Sequence, residues 1–319
     1  MATYYGTYGQ KVQYLASDPS DPQIGQVWYN STSAVLKVRQ EVTVNAWASG
    51  GNLNSGKANL AGAGTQTAAV AFGGNPYAAS ELYNGTSWTT TGSLNTNRQA
   101  IGGAGIQTSA LGIGGYTGGA SAACEKFNGS TWTSTGSLNT ARYRPAGAGS
   151  SNTAALAFGG LINDPTGSAS TESFNGSTWT AVNSLNTARG ALAGAGTQTS
   201  ALAFGGFPTP NRPATESWNG TSWTTVNSLN TGRNSLAGAG SSNVSALAFG
   251  GNTGSSTGAT ELWNGTSWTS NPTGLATARD GLGGCGTQTA ALAFGGNPSG
   301  TVTEEWTGIE AQTKTVTVS

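Results

Sequence analysis

The sequence predicts an all-β chain folded as a six-bladed β-propeller with an N-terminal β-hairpin segment. A pattern of short apolar runs recurs six times, and a Gly-Gly pair and a tryptophan each occur six times in step with it. The repeats are 41, 44, 47, 44 and 46 residues apart and begin at Leu53, Leu94, Leu138, Leu185, Leu229 and Leu275. A period of about 40–50 residues built from short strand-like runs is typical of propeller blades.

Each repeat divides into four short strands, a to d, which the fourth repeat shows most clearly. Strand a covers residues 192–196 and is rich in Gly and Ala, as a strand near the axis must be because the blades converge there. Strand b covers residues 200–204, strand c residues 215–218, and strand d begins at residue 222. Asn219-Gly220 separates strands c and d, and this dipeptide predicts a two-residue type I′ hairpin turn.

The tryptophans of strand d predict how the ring closes. The last repeat has no strand-d tryptophan, whereas the first such residue precedes the first strand a; the set is Trp47, Trp88, Trp132, Trp179, Trp223 and Trp268. We therefore expect Trp47 to supply strand d to the sixth repeat, beside its strand c near residues 303–306. Such a shared blade leaves no open sheet edge. The predicted propeller spans residues 42–319, after an N-terminal extension of residues 1–41.

The C-terminal residues 313–319 alternate in polarity as a strand does, although the blade count leaves no place for them. We expect them to form an extra strand that pairs with the N-terminal segment around residues 36–44. In the alternative arrangement, the same residues take the place of strand d and displace Trp47.

One acidic and one basic residue recur in every repeat. A structural interpretation has each pair fixing one blade against the next, with Arg donating to a carboxylate. The alternative is a ring of charge around the channel that binds an ion or a ligand. The set comprises Glu81, Glu125, Glu172, Glu216, Glu261 and Glu304 with Lys57, Arg98, Arg142, Arg189, Arg233 and Arg279.

Composition argues against several classes of function. The chain has 13 basic and 13 acidic residues and no basic run, so we expect no nucleic-acid partner. No apolar run approaches the about 18 residues that cross a bilayer, so we expect no membrane insertion. The N-terminus lacks a signal-peptide layout, which favours synthesis in a cytoplasm. Cys124 and Cys285 occupy unrelated positions in their repeats, so we expect neither a disulfide nor a metal site.

The chain also lacks the usual catalytic residues. It has no histidine, only four aspartates and no phosphate-binding loop, so we expect no enzymatic activity and no cofactor or metal. Paired carboxylates for glycoside hydrolysis remain the one open alternative, for example Asp164 with a neighbouring acid.

The order of residues within a repeat resembles the kelch repeat, a propeller family. The shared features are Arg, an apolar strand ending in Gly-Gly, and then Glu-x-aromatic-Asn-Gly-x-x-Trp, over residues 53–308. Repeat two departs from the pattern at Gly112-Ile113, and repeat six at Thr307-Gly308. The resemblance implies a binding scaffold. The copper radical oxidases with this fold need histidine ligands, which this chain lacks.

A second resemblance lies in the N-terminal segment. Residues 24–38, which include Trp28-Tyr29-Asn30 and Leu36-Lys37-Val38 and are followed by Trp47, are similar to a hairpin of bacteriophage tail-fibre and appendage proteins. Together with near-identical Gly/Thr/Ser/Asn-rich blades, this looks like a virion protein of a marine bacteriophage. The resemblance implies a virion location, assembly in the host cytoplasm, contacts with other virion proteins through the N-terminal segment, and a homo-oligomer in the particle.

The b-to-c loops are where the repeats differ in length and content, at residues 75–80, 116–124, 161–171, 207–215, 252–260 and 297–303. Rim loops on a rigid scaffold are a common place for binding, although loops also drift where nothing constrains them. The nearly constant Leu-Asn-Thr turns between strands d and a are expected on the opposite rim. Candidate binding residues in the loops are Tyr77, Tyr116, Leu161, Ile162, Asp164, Phe207 and Arg212.

Three functions follow as alternatives. In the first, the protein is a phage appendage or fibre-tip subunit that binds a host-surface glycan or protein through the b-to-c loops. In the second, it is a capsid or tail decoration subunit that stabilises the particle and binds no receptor. In the third, it is a secreted kelch-type carbohydrate-binding protein.

Overall fold

The computed structural model describes residues 12–75, 79–207 and 213–316, and this part of the chain contains 28 strands and no helix. The chain forms two compact units. A propeller unit comprises residues 46–306, and a terminal unit combines residues 1–45 with residues 307–319. The prediction of a β-propeller whose blades are four antiparallel strands is confirmed.

Three strands precede the repeats. They are β1 (Gln13–Leu15), β2 (Val27–Asn30) and β3 (Val35–Ser49). In the terminal unit β1 pairs with β2 in parallel, and β2 pairs with the first residues of β3 in antiparallel orientation, with Val27 opposite Val38.

Each of the first five repeats forms its own four-stranded antiparallel sheet. Repeat one contains β4 (Ala61–Gly64), β5 (Ala69–Phe72), β6 (Ser80–Tyr83) and β7 (Trp88–Thr91). Repeat two contains β8 (Gly102–Ile106), β9 (Ser109–Ile113), β10 (Cys124–Phe127) and β11 (Trp132–Thr135). Repeat three contains β12 (Ala146–Ser151) and β13 (Ala154–Phe158), a small loop hairpin of β14 (Leu161–Asn163) and β15 (Thr166–Gly167), then β16 (Thr171–Phe174) and β17 (Trp179–Val182). Repeat four contains β18 (Ala193–Gly196), β19 (Ala201–Phe204), β20 (Thr215–Trp218) and β21 (Trp223–Val226). Repeat five contains β22 (Ala237–Ser242), β23 (Ser245–Phe249), β24 (Thr260–Trp263) and β25 (Trp268–Asn271).

The sixth repeat differs from the other five. Its strands are β26 (Gly283–Gly286), β27 (Ala290–Phe294) and β28 (Thr303–Thr315), and they belong to a six-stranded sheet of order β1-β2-β3-β28-β27-β26. The expected count of six four-stranded sheets is therefore wrong, since five sheets have four strands. The reason is that β3 and β28 are 15 and 13 residues long and have residues in both units, so their ladder includes strands beyond one repeat.

Trp47 lies in the propeller unit, on the strand beside β28. Its ring is 4.9 Å from that of Phe249 and 5.4 Å from that of Trp306. The N–H of Gly50 donates to the carbonyl of Thr303 at 3.0 Å. In the terminal unit β28 continues to Thr315, and the N–H of Val316 donates to the carbonyl of Leu36 at 2.8 Å. The C-terminal residues up to Thr315 are thus a continuation of β28 rather than a separate strand.

The core consists of apolar clusters that each join two successive repeats. In one of them Leu156 and Phe158 of repeat three pack with Trp218 and Trp223 of repeat four. Except in repeat two, which has Ile113 there, the phenylalanine that ends strand b lies against the strand-d tryptophan of the following repeat, as in the Phe158–Trp223 pair at 4.9 Å. Burying such large rings stabilises each junction between repeats through apolar burial and aromatic contact.

Both variable and constant connections lie on one rim. In an antiparallel meander the connections b-to-c and d-to-a occur at the same end of the sheet, because strands b and d run in the same direction. Accordingly, the N–H of Asn186 in a Leu-Asn-Thr turn donates to Glu216 Oε2 at the start of strand c, at 2.6 Å. The expected placement of these turns on the opposite rim is therefore wrong. We call this end the loop rim and the end with the Asn-Gly turns the turn rim.

The Asn-Gly turns also differ from the expected type I′. Tyr83 pairs with Trp88, so the loop has four residues rather than two. Gly85 has a φ of 93°, while Asn84 is not among the residues with positive φ. The Asn84 side-chain Oδ1 instead accepts the N–H groups of Thr86 at 3.0 Å and Ser87 at 2.9 Å. A type I′ turn requires the left-handed conformation at both of its central residues. Here the Asn84 side chain closes the loop, and Asn84 itself does not adopt that conformation.

A closed ring of backbone hydrogen bonds surrounds the axis at the loop rim. Each member donates its N–H to the carbonyl of the equivalent residue in the preceding repeat, at 2.6–3.1 Å. All six adopt the left-handed conformation, with φ between 52° and 59°. We call this ring the axial collar; its members are Asn59, Ala100, Arg144, Ala191, Ser235 and Gly281. The first strands of the six repeats likewise contact one another in sequence and back to the first.

Candidate functional site

The repeated charges form six buried ion pairs. Each basic residue contacts the glutamate of its own repeat, and the side chains are at most 2% exposed. The distances are 3.1 Å for Lys57–Glu81, 2.8 Å for Arg98–Glu125, 3.0 Å for Arg142–Glu172 and 3.0 Å for Arg279–Glu304, and the other pairs are Arg189–Glu216 and Arg233–Glu261. The expectation that the ion pair itself joins two blades is wrong.

The basic residue joins two repeats through its backbone instead. Its carbonyl accepts the N–H of the second glycine of the preceding Gly-Gly pair, as from Gly74 to Arg98 at 2.9 Å and from Gly296 to Lys57 at 2.9 Å. The side chain of the basic residue is thus bonded within its own repeat, while its backbone carbonyl is hydrogen-bonded to the preceding repeat. These twelve charges therefore expose almost no surface to a ligand.

A cleft with a volume of about 420 Å³ opens on the loop rim. Repeats three to six contribute its walls, and the lining combines two aromatic rings, three charged groups and several polar side chains. The lining residues are Tyr143, Arg144, Leu161, Asp164, Phe207, Asn234, Ser235, Asn252 and Asp280.

The loop residues predicted as binding candidates have different positions in the structure. Asp164 and Phe207 line the cleft together with Leu161, although Leu161 is only 3% exposed and offers little surface. Tyr116 is 37% exposed, and Ile162 is 44% exposed outside the cleft lining. The two remaining candidates, Tyr77 and Arg212, lie outside the described residues.

Several cleft residues were missed by the sequence reasoning, which compared loops and not single positions. Tyr143, Arg144, Asn234, Ser235 and Asp280 directly follow the constant basic residue of their repeats. The signal was present in the sequence. These two positions read Ala-Asn, Gln-Ala, Tyr-Arg, Gly-Ala, Asn-Ser and Asp-Gly in the six repeats, between neighbours that hardly change.

The backbone holds these variable side chains in place on both sides. The first of the two positions forms an antiparallel bridge with the residue after Gly-Gly, as in Tyr143 with Leu161 and Asn234 with Asn252. In the first of these bridges Leu161 donates to Tyr143 at 2.7 Å and Tyr143 donates to Leu161 at 3.0 Å. The second position belongs to the axial collar. The side chains at these two positions thus differ between repeats, while hydrogen bonds fix the backbone to which they belong.

The electrostatics of the cleft are those of a mixed polar surface. Asp280 Oδ2 accepts hydrogen bonds from Ser256 Oγ at 2.7 Å and from Asn252 Nδ2 at 3.1 Å. Burial, together with the negative charge of Asp164, raises the pKa of Tyr143 above its ordinary value. Tyr143 therefore keeps its proton at neutral pH and can donate a hydrogen bond. The ring of Tyr116 packs at 66° to that of Tyr143, with centroids 5.4 Å apart.

In the described parts of the chain, no three His, Cys, Asp or Glu residues group together as metal ligands would. Within the same residues, no helix has the length and apolar character to cross a bilayer. Cys124 and Cys285 are buried free thiols, and burial raises the pKa of Cys285 to about 12. Neither thiol is therefore a ready nucleophile at neutral pH.

Comparison with known proteins gives no family assignment: no family model matches the chain, and no curated protein matches it.

Proposed function

We propose that this protein is a structural subunit of a bacteriophage virion that recognises a host-surface glycan or protein through its loop rim. The proposal rests on the place where the side chains that differ between repeats come together. Repeats that are otherwise nearly identical differ at side chains that meet in one cleft on one rim. A rigid scaffold whose varied side chains gather at a concave surface is the arrangement expected of a recognition protein. The protein acts by binding and not by catalysis.

The proposal includes a finer view of the architecture. The sixth repeat, with β3 as its outer strand, is a sixth blade of a kelch-type propeller, which the closed axial collar supports. The N-terminal β-hairpin attaches the protein to other virion proteins, as a homo-oligomer in the particle. The residues that carry its resemblance to phage appendages share one contact. Trp28, Asn30 and Lys37 all donate hydrogen bonds to Asp18, at 3.0, 2.7 and 2.6 Å.

Decoration of the capsid or tail without receptor binding is the second candidate, and a secreted carbohydrate-binding protein is the third. A decoration subunit needs contacts with its lattice but no cleft of varied side chains. Recognition is therefore the function that the cleft supports best.

Two experiments test the proposed function. Immunogold electron microscopy of the virions should label the distal end of the tail, whereas label over the capsid lattice would favour decoration. Purified full-length protein should also bind host cells and compete with virion adsorption. The variant Phe207→Ala should weaken both effects, because aromatic anchors often dominate such contacts. Val244→Ala is the matched control, since Val244 is 57% exposed and lies in a strand a-to-b turn on the turn rim.

A further inference from the structure

We propose that the ligand of the cleft is a saccharide without acidic groups. This inference rests on the proposed function and adds the chemical class of the ligand. It follows from the balance of hydrogen-bonding groups, aromatic rings and charges in the lining.

The lining contains groups that only accept and groups that only donate. The carboxylates of Asp164 and Asp280 accept hydrogen bonds, and the guanidinium of Arg144 donates them. The amides of Asn234 and Asn252 do both. A hydroxyl group also donates and accepts, so a ligand with several hydroxyls can use every member of this set. A simple anion or cation would use only half of it.

The size of the cleft and its aromatic rings favour a sugar over a protein surface. A volume of about 420 Å³ is that of a small-molecule pocket, and protein interfaces are usually larger and flatter. Tyr143 and Phe207 line the cleft beside the polar groups. A sugar ring has one face of C–H groups that packs on an aromatic ring, while its hydroxyls point outward to polar partners. The edge contact with Tyr116 holds the ring of Tyr143 for such packing.

Charge selects among sugars. The described residues of the lining include two carboxylates and one guanidinium, so that negative charge is in excess among them. Asp280 is held in place by Ser256 and Asn252, so it cannot simply turn away from a ligand. A uronic acid or another acidic sugar would bring a further carboxylate near these two, and repulsion at short range in a cleft is costly.

The test is isothermal titration of the full-length protein with matched pairs of methyl glycosides. The pairs are glucose with glucuronic acid, galactose with galacturonic acid, and mannose with mannuronic acid, so that only the acidic group differs within a pair. We expect at least one neutral glycoside to bind at least tenfold more tightly than its acidic partner. Binding of an acidic member as tightly as its neutral partner, or no binding by any neutral member, overturns the inference.

Variants assign the binding to this cleft. Asp280→Asn should weaken binding of the neutral glycoside about tenfold. It should also reduce the difference in affinity between the neutral and the acidic member of the pair, because a charge that repels the acidic sugar is removed. A change in folding alone would not alter the preference between the two members. Phe207→Ala should lose binding, and Val244→Ala should retain it. Equal loss in Val244→Ala, or an unchanged preference in Asp280→Asn, contradicts the assignment.

The experiments distinguish failure of the saccharide inference from failure of the proposed host recognition. Host-cell binding without glycoside binding refutes the saccharide inference and leaves receptor recognition standing. Glycoside binding by a protein that labels the capsid lattice and does not compete with adsorption refutes host recognition and leaves the saccharide site standing.

Discussion

The sixth repeat and the first five differ in how the chain reaches the outer strand of the sheet. In the first five repeats strand d follows strand c through a short turn, whereas the strand beside β28 is β3, from the other end of the chain. The junctions nevertheless use the same contact. The strand-d indole N–H donates to the hydroxyl that begins strand c of the preceding repeat, from Trp47 to Thr260 at 2.9 Å and from Trp268 to Thr215 at 3.1 Å.

The incomplete junction lies between two repeats that are continuous in sequence. Trp179 Nε1 of repeat three is buried and faces the Cys124 thiol, which is a weaker acceptor than a hydroxyl. The position that holds a hydroxyl in the other repeats is Cys124 in repeat two, as the bond from Trp132 to Ser80 at 3.0 Å illustrates. A hydroxyl at the start of strand c, and not the continuity of the chain, therefore makes a junction complete.

Removing β3 should have the largest effect on the sheet of the sixth repeat. Deletion of residues 1–50 leaves β28 with an unpaired edge and removes Trp47 from its cluster. We expect a loss of unfolding free energy larger than the about 3–5 kcal/mol of one buried tryptophan, with aggregation. Thermal denaturation and size-exclusion chromatography measure both. Val244→Ala, at an exposed residue of the turn rim, is the control and should leave the transition unchanged. An unchanged transition in the deletion would contradict the shared sheet.

Matched tryptophan substitutions compare the two kinds of sheet directly. Trp268 is 5% exposed, whereas Trp47 is only partly buried against its cluster. Trp268→Ala should therefore cost about 3–5 kcal/mol of unfolding free energy, and Trp47→Ala about 2 kcal/mol. Urea denaturation measures both values. A cost near zero for Trp47→Ala would show that the chain-end strand contributes nothing to the propeller.

A stabilising change should repair the junction between repeats two and three. Cys124→Ser places a hydroxyl where Ser80 and its equivalents accept the indole N–H, and we expect a gain of about 1 kcal/mol. Cys285→Ala is the control for loss of a thiol and should change stability by less than about 0.5 kcal/mol, since the other repeats have Ala there. Urea denaturation under reducing conditions is the measurement. Destabilisation by Cys124→Ser would mean that the packing lost with the larger sulfur atom outweighs the gain of a stronger acceptor.

The smallest expected effect is a local titration in the terminal unit. Hydrogen bonds from Lys37, then Asn30 and Trp28, lower the pKa of Asp18 from 3.8 to about 2. Because the folded pKa is depressed, the contribution of these bonds is complete above pH 4 and is lost as the pH falls through about 2. The NMR signal of the Trp28 indole N–H should shift over that range, and Asp18→Asn should abolish the shift. The indole of Trp47, whose acceptor is a hydroxyl, serves as the internal control.

The repeat architecture could be predicted from the sequence because its causes are local. Small residues in strand a, a continuous apolar run in strand b and Gly-Gly after Phe204 each follow from the place of one strand in a blade. The propeller with four-stranded antiparallel blades followed from these. The count of separate sheets did not, since the long strands β3 and β28 extend the ladder beyond one repeat.

The turn chemistry and the cleft depended on more than local pattern. Asn84 was expected to adopt a left-handed conformation, but its side chain closes a four-residue loop with the following Thr86 and Ser87. Tyr143 and Asp280 were missed because their importance appears only when the d-to-a and b-to-c connections are placed at the same end. That placement follows from strand direction, and it brings residues from four repeats into one lining.

The axial collar has a consequence for how such a gene can change. Every repeat donates one hydrogen bond to its predecessor in the ring and accepts one from its successor, and repeat one receives its partner from repeat six. Near-identical coding repeats are prone to unequal recombination, which removes or duplicates whole copies. A chain that loses or gains a copy must close the same ring at a different circumference. Such a chain would have to find a new geometry for all of these backbone hydrogen bonds, whereas a change of side chain beside the collar leaves them in place.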